Sequence, residues 1–170
     1  MSGFAAQVSD WCRDVEGAFE AIFKMSVQDV VSEMQKVGPS KASTRAAIKT
    51  AKKKFVGPPA PAGAGGRMPV DTGFLRASLL ASTSAMPSIN SAAVPVEGRS
   101  YPMGEQVELT IAAMTLGQPL YAGYTAAYAA AMEYGAGSLA PYAFVRTAAQ
   151  GWQQIVAKRE AELMRRLGLS

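Results

Sequence analysis

The stretch QVELTIAAMTLGQPLYAGYT, residues 106–125, decides how this chain folds. Val107, Leu109 and Ile111 alternate with Glu108 and Thr110, the period-two pattern of a strand with one buried face. Leu116-Gly117-Gln118-Pro119 then reads as a turn, and residues 120–125 as the returning strand. Residues 79–85, after a short helical turn, supply a third strand, so the spacing predicts a three-stranded antiparallel sheet from 79–85, 106–115 and 120–125. Residues 109–132 hold no charged side chain and are long enough to span a bilayer, but Gly117-Gln118-Pro119 and three threonines interrupt them. Two strands and a short helix are the better reading, and no membrane partner is expected.

Helical periodicity flanks this region on both sides. Upstream, Ser9 is a good N-cap, and Val15, Phe19, Ile22, Phe23, Val27, Val30 and Met34 form one stripe that Gly38-Pro39 stops near Val37. A shorter helix is predicted from Ser40 or Ser43 to about Phe55. GPPAPAGAGGRMP, residues 57–69, is a linker or long loop; its glycines lack the Lys-Ser/Thr of a phosphate-binding loop. Downstream, the loop 87–104 is rich in serine, proline and small residues. Residues 126–133 are Ala-rich and helical by propensity, with Gly135 as a stop. Pro141 suits the first turn of a last helix whose stripe runs through Phe144, Ala148, Trp152, Ile155, Val156, Arg159 and Leu163.

These elements predict an α+β fold with long helices packed on a small antiparallel sheet. The chain divides into a helical region with a basic segment (1–56), the linker (57–69) and an α+β core (70–170), packed together as one domain, as 170 residues allow. Val15, Phe19, Ile22, Phe23, Val30, Leu109, Ile111, Phe144, Trp152 and Ile155 are the expected core.

The net charge of +4 is unevenly spread. Residues 1–33 carry six acids against Arg13 and Lys24, residues 34–70 carry eight basic residues and no acid, and residues 71–170 carry seven of each sign. Lys41, Arg45, Lys49, Lys52, Lys53 and Lys54 therefore form a segment that attracts nucleic acid, an acidic partner surface or the chain's own acidic first helix.

Much catalytic chemistry is excluded. There is no histidine, which removes Ser–His and Cys–His pairs and histidine-ligated metals. Cys12 is the single cysteine, so no disulfide forms within the chain and folding in the cytosol is expected. MSGFAAQVSDWC, the first twelve residues, has neither the basic start nor the apolar run of a secretory signal. Asp71 and Glu133 are the carboxylates with any claim to catalysis, and each has a structural reading: an Asx-type turn for Asp71, an arginine partner for Glu133. No enzymatic activity and no cofactor are expected.

Three phrases add to this reading: MPVDTGFLRASL (68–79), YAAAMEYGAG (128–137) and APYAFVRTAAQGW (140–152). In this order they resemble the tail-completion or neck proteins of long-tailed, lambdoid-type bacteriophages. Members of that family show Pro-Val-Asp-Thr-Gly-x-Leu-Arg-x-Ser, then Tyr-Ala-x-x-x-Glu-x-Gly, then Pro-Phe-x-Arg-x-Ala. Here Tyr142 and Ala143 stand between Pro141 and Phe144, and the likeness spans roughly residues 68–167.

The resemblance implies a ring-forming subunit, commonly six to a ring, at the head–tail interface of the virion. Such a ring is assembled in the host cytoplasm, meets the head connector and the tail tube, and leaves an axial path for DNA. It implies architectural roles for the phrase residues. Asp71 and Thr72 would fix the turn into the sheet. Gly73 and Gly135 would meet backbone demands. Arg76, Glu133 and Arg146 would pair within or between subunits, with Tyr128 and Pro141 as further phrase members. The basic segment would face the DNA path or an acidic neighbouring ring. The rival reading is a basic nucleic-acid-binding protein. Against it, only Phe55 lies among the lysines and no DNA-reading motif is present.

Overall fold

The computed structural model describes residues 3–38, 67–70, 72–137 and 140–168. The expected helix near 40–55, most of the linker and Asp71 lie outside the described residues. Among these residues the order is α1 (Phe4–Met34), α2 (Phe74–Ala77), β1 (Leu79–Ser82), α3 (Gln106–Ala113), β2 (Tyr121–Tyr124), α4 (Ala129–Tyr134), α5 (Phe144–Gln150) and α6 (Trp152–Arg166). The fold is mixed α and β, and none of the described helices is long and apolar enough to cross a membrane.

Among the described residues the sheet has two strands, not three. β1 and β2 are antiparallel, with Leu79 opposite Tyr124 and Ser82 opposite Tyr121. The segment expected to be the third strand is α3. Its buried residues are Val107 and Ile111, followed by Met114, a spacing of four and then three that lies on one helical face. Leu109, which a strand would have turned inward with them, is 64% exposed. Residues i, i+2 and i+4 satisfy a strand by type, but i and i+4 also satisfy a helix. The helix wins because Met114 extends the second pattern. α3 still serves the sheet edge: the Gln106 side-chain amide donates to Ala81 O at 2.7 Å and accepts from Ala81 N at 2.9 Å, in place of a neighbouring backbone.

α1 begins at Phe4 rather than after Ser9, because Ala5, Ala6 and Gln7 are good helix formers and extend it towards the N-terminus. Its second half packs on α3, α5 and α6. Val27 and Met34 are buried there, and Phe23 meets Trp152 edge-to-face at 6.0 Å. The core joins them to Met68, Leu75, Leu79, Ile111, Tyr124 and Phe144. Of the expected core, Ile111 and Phe144 are buried, while Val15, Ile22, Phe23, Val30, Trp152 and Ile155 are half-buried. Phe19 is 58% exposed and, with Leu109, falls outside the core. The last helix is interrupted at Gly151, whose N–H turns to Ala148 O, three residues back. Pro141 precedes that helix instead of opening it.

Two further ties hold the frame. Beyond α1, Gly38 N donates to Met68 O and Met68 N to Lys36 O, both at 2.8 Å, so the chain leaves at 38 and returns at 67 through one short parallel bridge. Between α1 and α6, Arg159 grips Asp29 with two bonds of 2.7 and 2.6 Å and also bonds Glu162 at 2.8 Å. The Arg159 guanidinium holds the Asp29 carboxyl below the ordinary aspartate value of 3.8.

Two outcomes follow from this packing. Ile111→Ala should lower unfolding free energy by about 2–5 kcal/mol and Leu109→Ala by no more than about 0.5 kcal/mol in denaturant titrations, whereas a strand would make the two losses alike. Since the Asp29 pKa is depressed in the folded state, its contribution is present above the unfolded pKa and lost as pH falls through the folded one. Thermal melts should therefore weaken below about pH 4, and Asp29→Asn should flatten that acid slope while lowering stability at neutral pH.

Candidate functional site

The three phrases meet in the structure through backbone ends, not through a cavity. The first contains the turn into α2. Gly73 has φ of 85°, in the left-handed region, and a Cβ placed on it would lie 2.7 Å from Tyr101 O. Thr72 Oγ1 accepts from Phe74 N at 3.3 Å, while Thr72 O accepts from Tyr101 N at 3.0 Å. The Phe74 ring stands edge-on to Tyr101 at 4.9 Å and 6.3 Å from Tyr128, which brings the second phrase alongside the first. Asp71 lies outside the described residues. Arg76 reaches back to α1: its Nε donates to Gln35 Oε1, and Gln35 Nε2 donates to Arg76 O, both at 3.3 Å. Its other described contact is Met103 Sδ at 3.2 Å, so the partners observed for Arg76 are an amide and a thioether.

The second and third phrases are bound more tightly. α5 starts after Pro141-Tyr142-Ala143, which contains none of the side chains that cap helices well. Ala143, at the N-cap, has φ of 51°, the one positive value among the described non-glycine residues. The missing cap comes from α4. The buried Glu133 carboxylate accepts Val145 N through Oε2 at 3.0 Å and Arg146 N through Oε1 at 3.1 Å. These are the second and third N–H groups of α5, the two that an N-cap side chain normally satisfies. Arg146 Nε completes the carboxylate at 3.1 Å.

In return, the incoming chain closes the C-terminal end of α4. Tyr142 N donates to Met132 O at 2.9 Å, Ala143 N to Glu133 O at 3.2 Å, and Arg146 Nη2 to Glu133 O at 3.1 Å. Gly135, with φ of 84°, turns the chain out of α4. The half-exposed Arg146 guanidinium also lies 5.2 Å from the centre of the Tyr134 ring. Each of the two helices thus satisfies the other's open end.

This arrangement commits Glu133 to three donors, leaving it poorly placed to act as a base. Among the described residues no group of three or more Asp, Glu, Cys or His could hold a metal. Glu105 and Glu108 have i, i+3 spacing but are exposed and belong to no such group. A groove of about 370 Å³ between α1 and the α5–α6 pair is lined by Glu33, Lys36, Thr147, Gln154 and Lys158, and it contains no phrase residue except Thr147, Ala148 and Gly151 on its wall. Lys41, Arg45, Lys49, Lys52, Lys53 and Lys54 lie outside the described residues. What sequence reasoning missed is the cap itself. Its signal was available, since a helix start that lacks a capping side chain needs an acceptor from elsewhere.

Glu133→Ala should therefore cost about 2 kcal/mol or more, because two partly buried N–H groups lose their acceptor, and Glu133→Gln about 1–2 kcal/mol, because one oxygen acceptor remains. Arg146→Met should cost less than about 1.5 kcal/mol, since the guanidinium is half exposed to water. Urea titrations of the three variants check the order; an equal loss for Arg146→Met and Glu133→Ala would assign the stabilisation to the ion pair instead of the cap. No protein-family model, curated protein or solved structure matches this chain.

Proposed function

We propose that this protein is a non-enzymatic structural subunit of the neck of a long-tailed bacteriophage. It forms a ring, most simply of six copies, that completes the tail and joins it to the head connector around an axial DNA path. One observation carries the proposal: Arg76, Glu133 and Arg146, the described charged members of the three phrases, are engaged in holding the chain's own elements together. Glu133 and Arg146 close α4 against α5, Gly73 admits Tyr101, and Arg76 ties the first phrase to α1. Residues used in this way set the shape of a subunit, which is what the likeness to tail-completion proteins implies for them. A frame of this kind suits a part whose work is to fit between two others.

The excess of basic residues between 34 and 70 supports a place near DNA or near an acidic neighbouring ring. It also keeps the reading of a dedicated nucleic-acid-binding protein in view. The two readings differ in what loss of the protein does. Phage made without it should accumulate DNA-filled heads and full-length tails that fail to join, and adding the purified protein should restore joined particles. Joined, infectious particles in its absence would refute the proposal. Tight duplex binding by the free protein, with a steep salt dependence and no effect on joining, would favour the nucleic-acid-binding reading instead.

A further inference from the structure

The first half of α1 presents a large bare apolar surface. Phe4, Val8, Trp11, Val15 and Phe19 recur at helical spacing along it. Phe4 is 81% exposed, Val8 42% and Trp11 65%. Together with Phe19, these side chains leave on the order of 500 Å² of apolar surface in water, a size at which exposed patches generally mark contacts. Among the described residues, the body of the chain does not approach from the side that would cover it. The docked stripe, Phe23, Val27, Val30 and Met34, is centred roughly 90° around the helix from the bare one, at 100° per residue.

Charge narrows the choice of partner. Residues 4–20 hold Arg13 against Asp10, Asp14, Glu16 and Glu20, whereas the rest of the chain carries sixteen basic and nine acidic residues. An arm from one copy therefore meets the opposite sign on another copy, while two arms laid together would repel. Among the described surfaces, the end of α6 offers both parts of a matching site. Met164 and Leu167 are exposed apolar side chains there, beside the exposed Arg165 and beside Arg166, which is also bonded to Glu162 at 2.7 Å.

We propose that residues 4–20 of α1 are an arm that packs on the C-terminal end of α6 in a second copy of this chain. The contact joins two different surfaces, so repetition continues past a pair, and the copies form a ring where the rotation between neighbours closes. Asp29 and Arg159 fix α1 to α6 within each copy, so the arm and the site that receives the next arm are held on one rigid unit. The inference rests on the ring-subunit reading and names the contact that builds the ring.

The test uses the full chain. Trp11→Glu and Phe4→Ser alter exposed side chains, so circular dichroism and melting of the free subunit should be unchanged. Sedimentation should show closed oligomers for the natural chain and at least tenfold weaker assembly for each variant. Leu167→Cys, oxidised with the natural Cys12, should give a ladder of cross-linked dimers, trimers and higher forms that disappears when Cys12→Ser is added. Rings that persist in Trp11→Glu would overturn the arm contact and leave the ring reading standing. Cross-links confined to Cys12–Cys12 dimers would overturn the α6 site. A natural chain that stays monomeric, with Trp11 shielded from an aqueous quencher, would assign the cover to residues of the same chain and overturn both.

Discussion

A helix that begins without its own capping side chain must find acceptors elsewhere, and in this protein that need fixes the second half of the fold. The Glu133 carboxylate supplies them to α5, and the carbonyls that α4 leaves open at Met132 and Glu133 are closed by the same incoming chain. The exchange is favourable in its electrostatics as well as its hydrogen bonds. A carboxylate lies where the α5 dipole is positive, and the two α5 N–H groups, together with the half-exposed Arg146, offset the cost of burying it. With α4 and α5 locked, Phe144 is held against Tyr124 of β2 at 5.3 Å, so the cap also sets the distance between helices and sheet. The Tyr124 hydroxyl in turn reaches Met34 O at 3.3 Å, and burial pushes its pKa up. A single line of contacts thus runs from the end of α1 through the sheet to α4.

Those parts of the fold that depend on local chemistry were legible in the sequence. The turn and helix before β1, the strand at 121–124, the Ala-rich α4 with its glycine stop and the basic end of α6 all stand near where type and spacing predict them. What failed was a choice between two periods in a short apolar run. Val107, Leu109 and Ile111 fit a strand, and only Met114, three residues further on, shows that Leu109 was the odd member. The Thr110 hydroxyl, which donates to Gln106 O at 2.8 Å, accommodates a β-branched residue in the helix by a bond that no strand would contain.

Other features are set by distance in space and leave little local trace. Phe19 belongs to the apolar stripe by type, yet nothing in its neighbourhood of sequence tells that the side chain is left exposed by the described core. The Asp29–Arg159 pair joins residues 130 positions apart. The candidate phrases were visible as phrases, but the division of labour within them was not. Glu133 is a cap, Gly73 is a clearance of 2.7 Å, and Arg76 is a strut to Gln35.

On the proposed reading, Glu133, Arg146 and Arg76 hold the subunit's own frame, and the exposed apolar side chains of α1 are what it offers to a neighbouring copy. A reconstruction of the virion neck, with the chain traced by its side chains, tests this most directly. A closed ring of this subunit between head connector and tail tube, with α1 arms reaching neighbouring copies, is the predicted result. A neck built entirely from other chains, with this protein absent from purified particles, would contradict it.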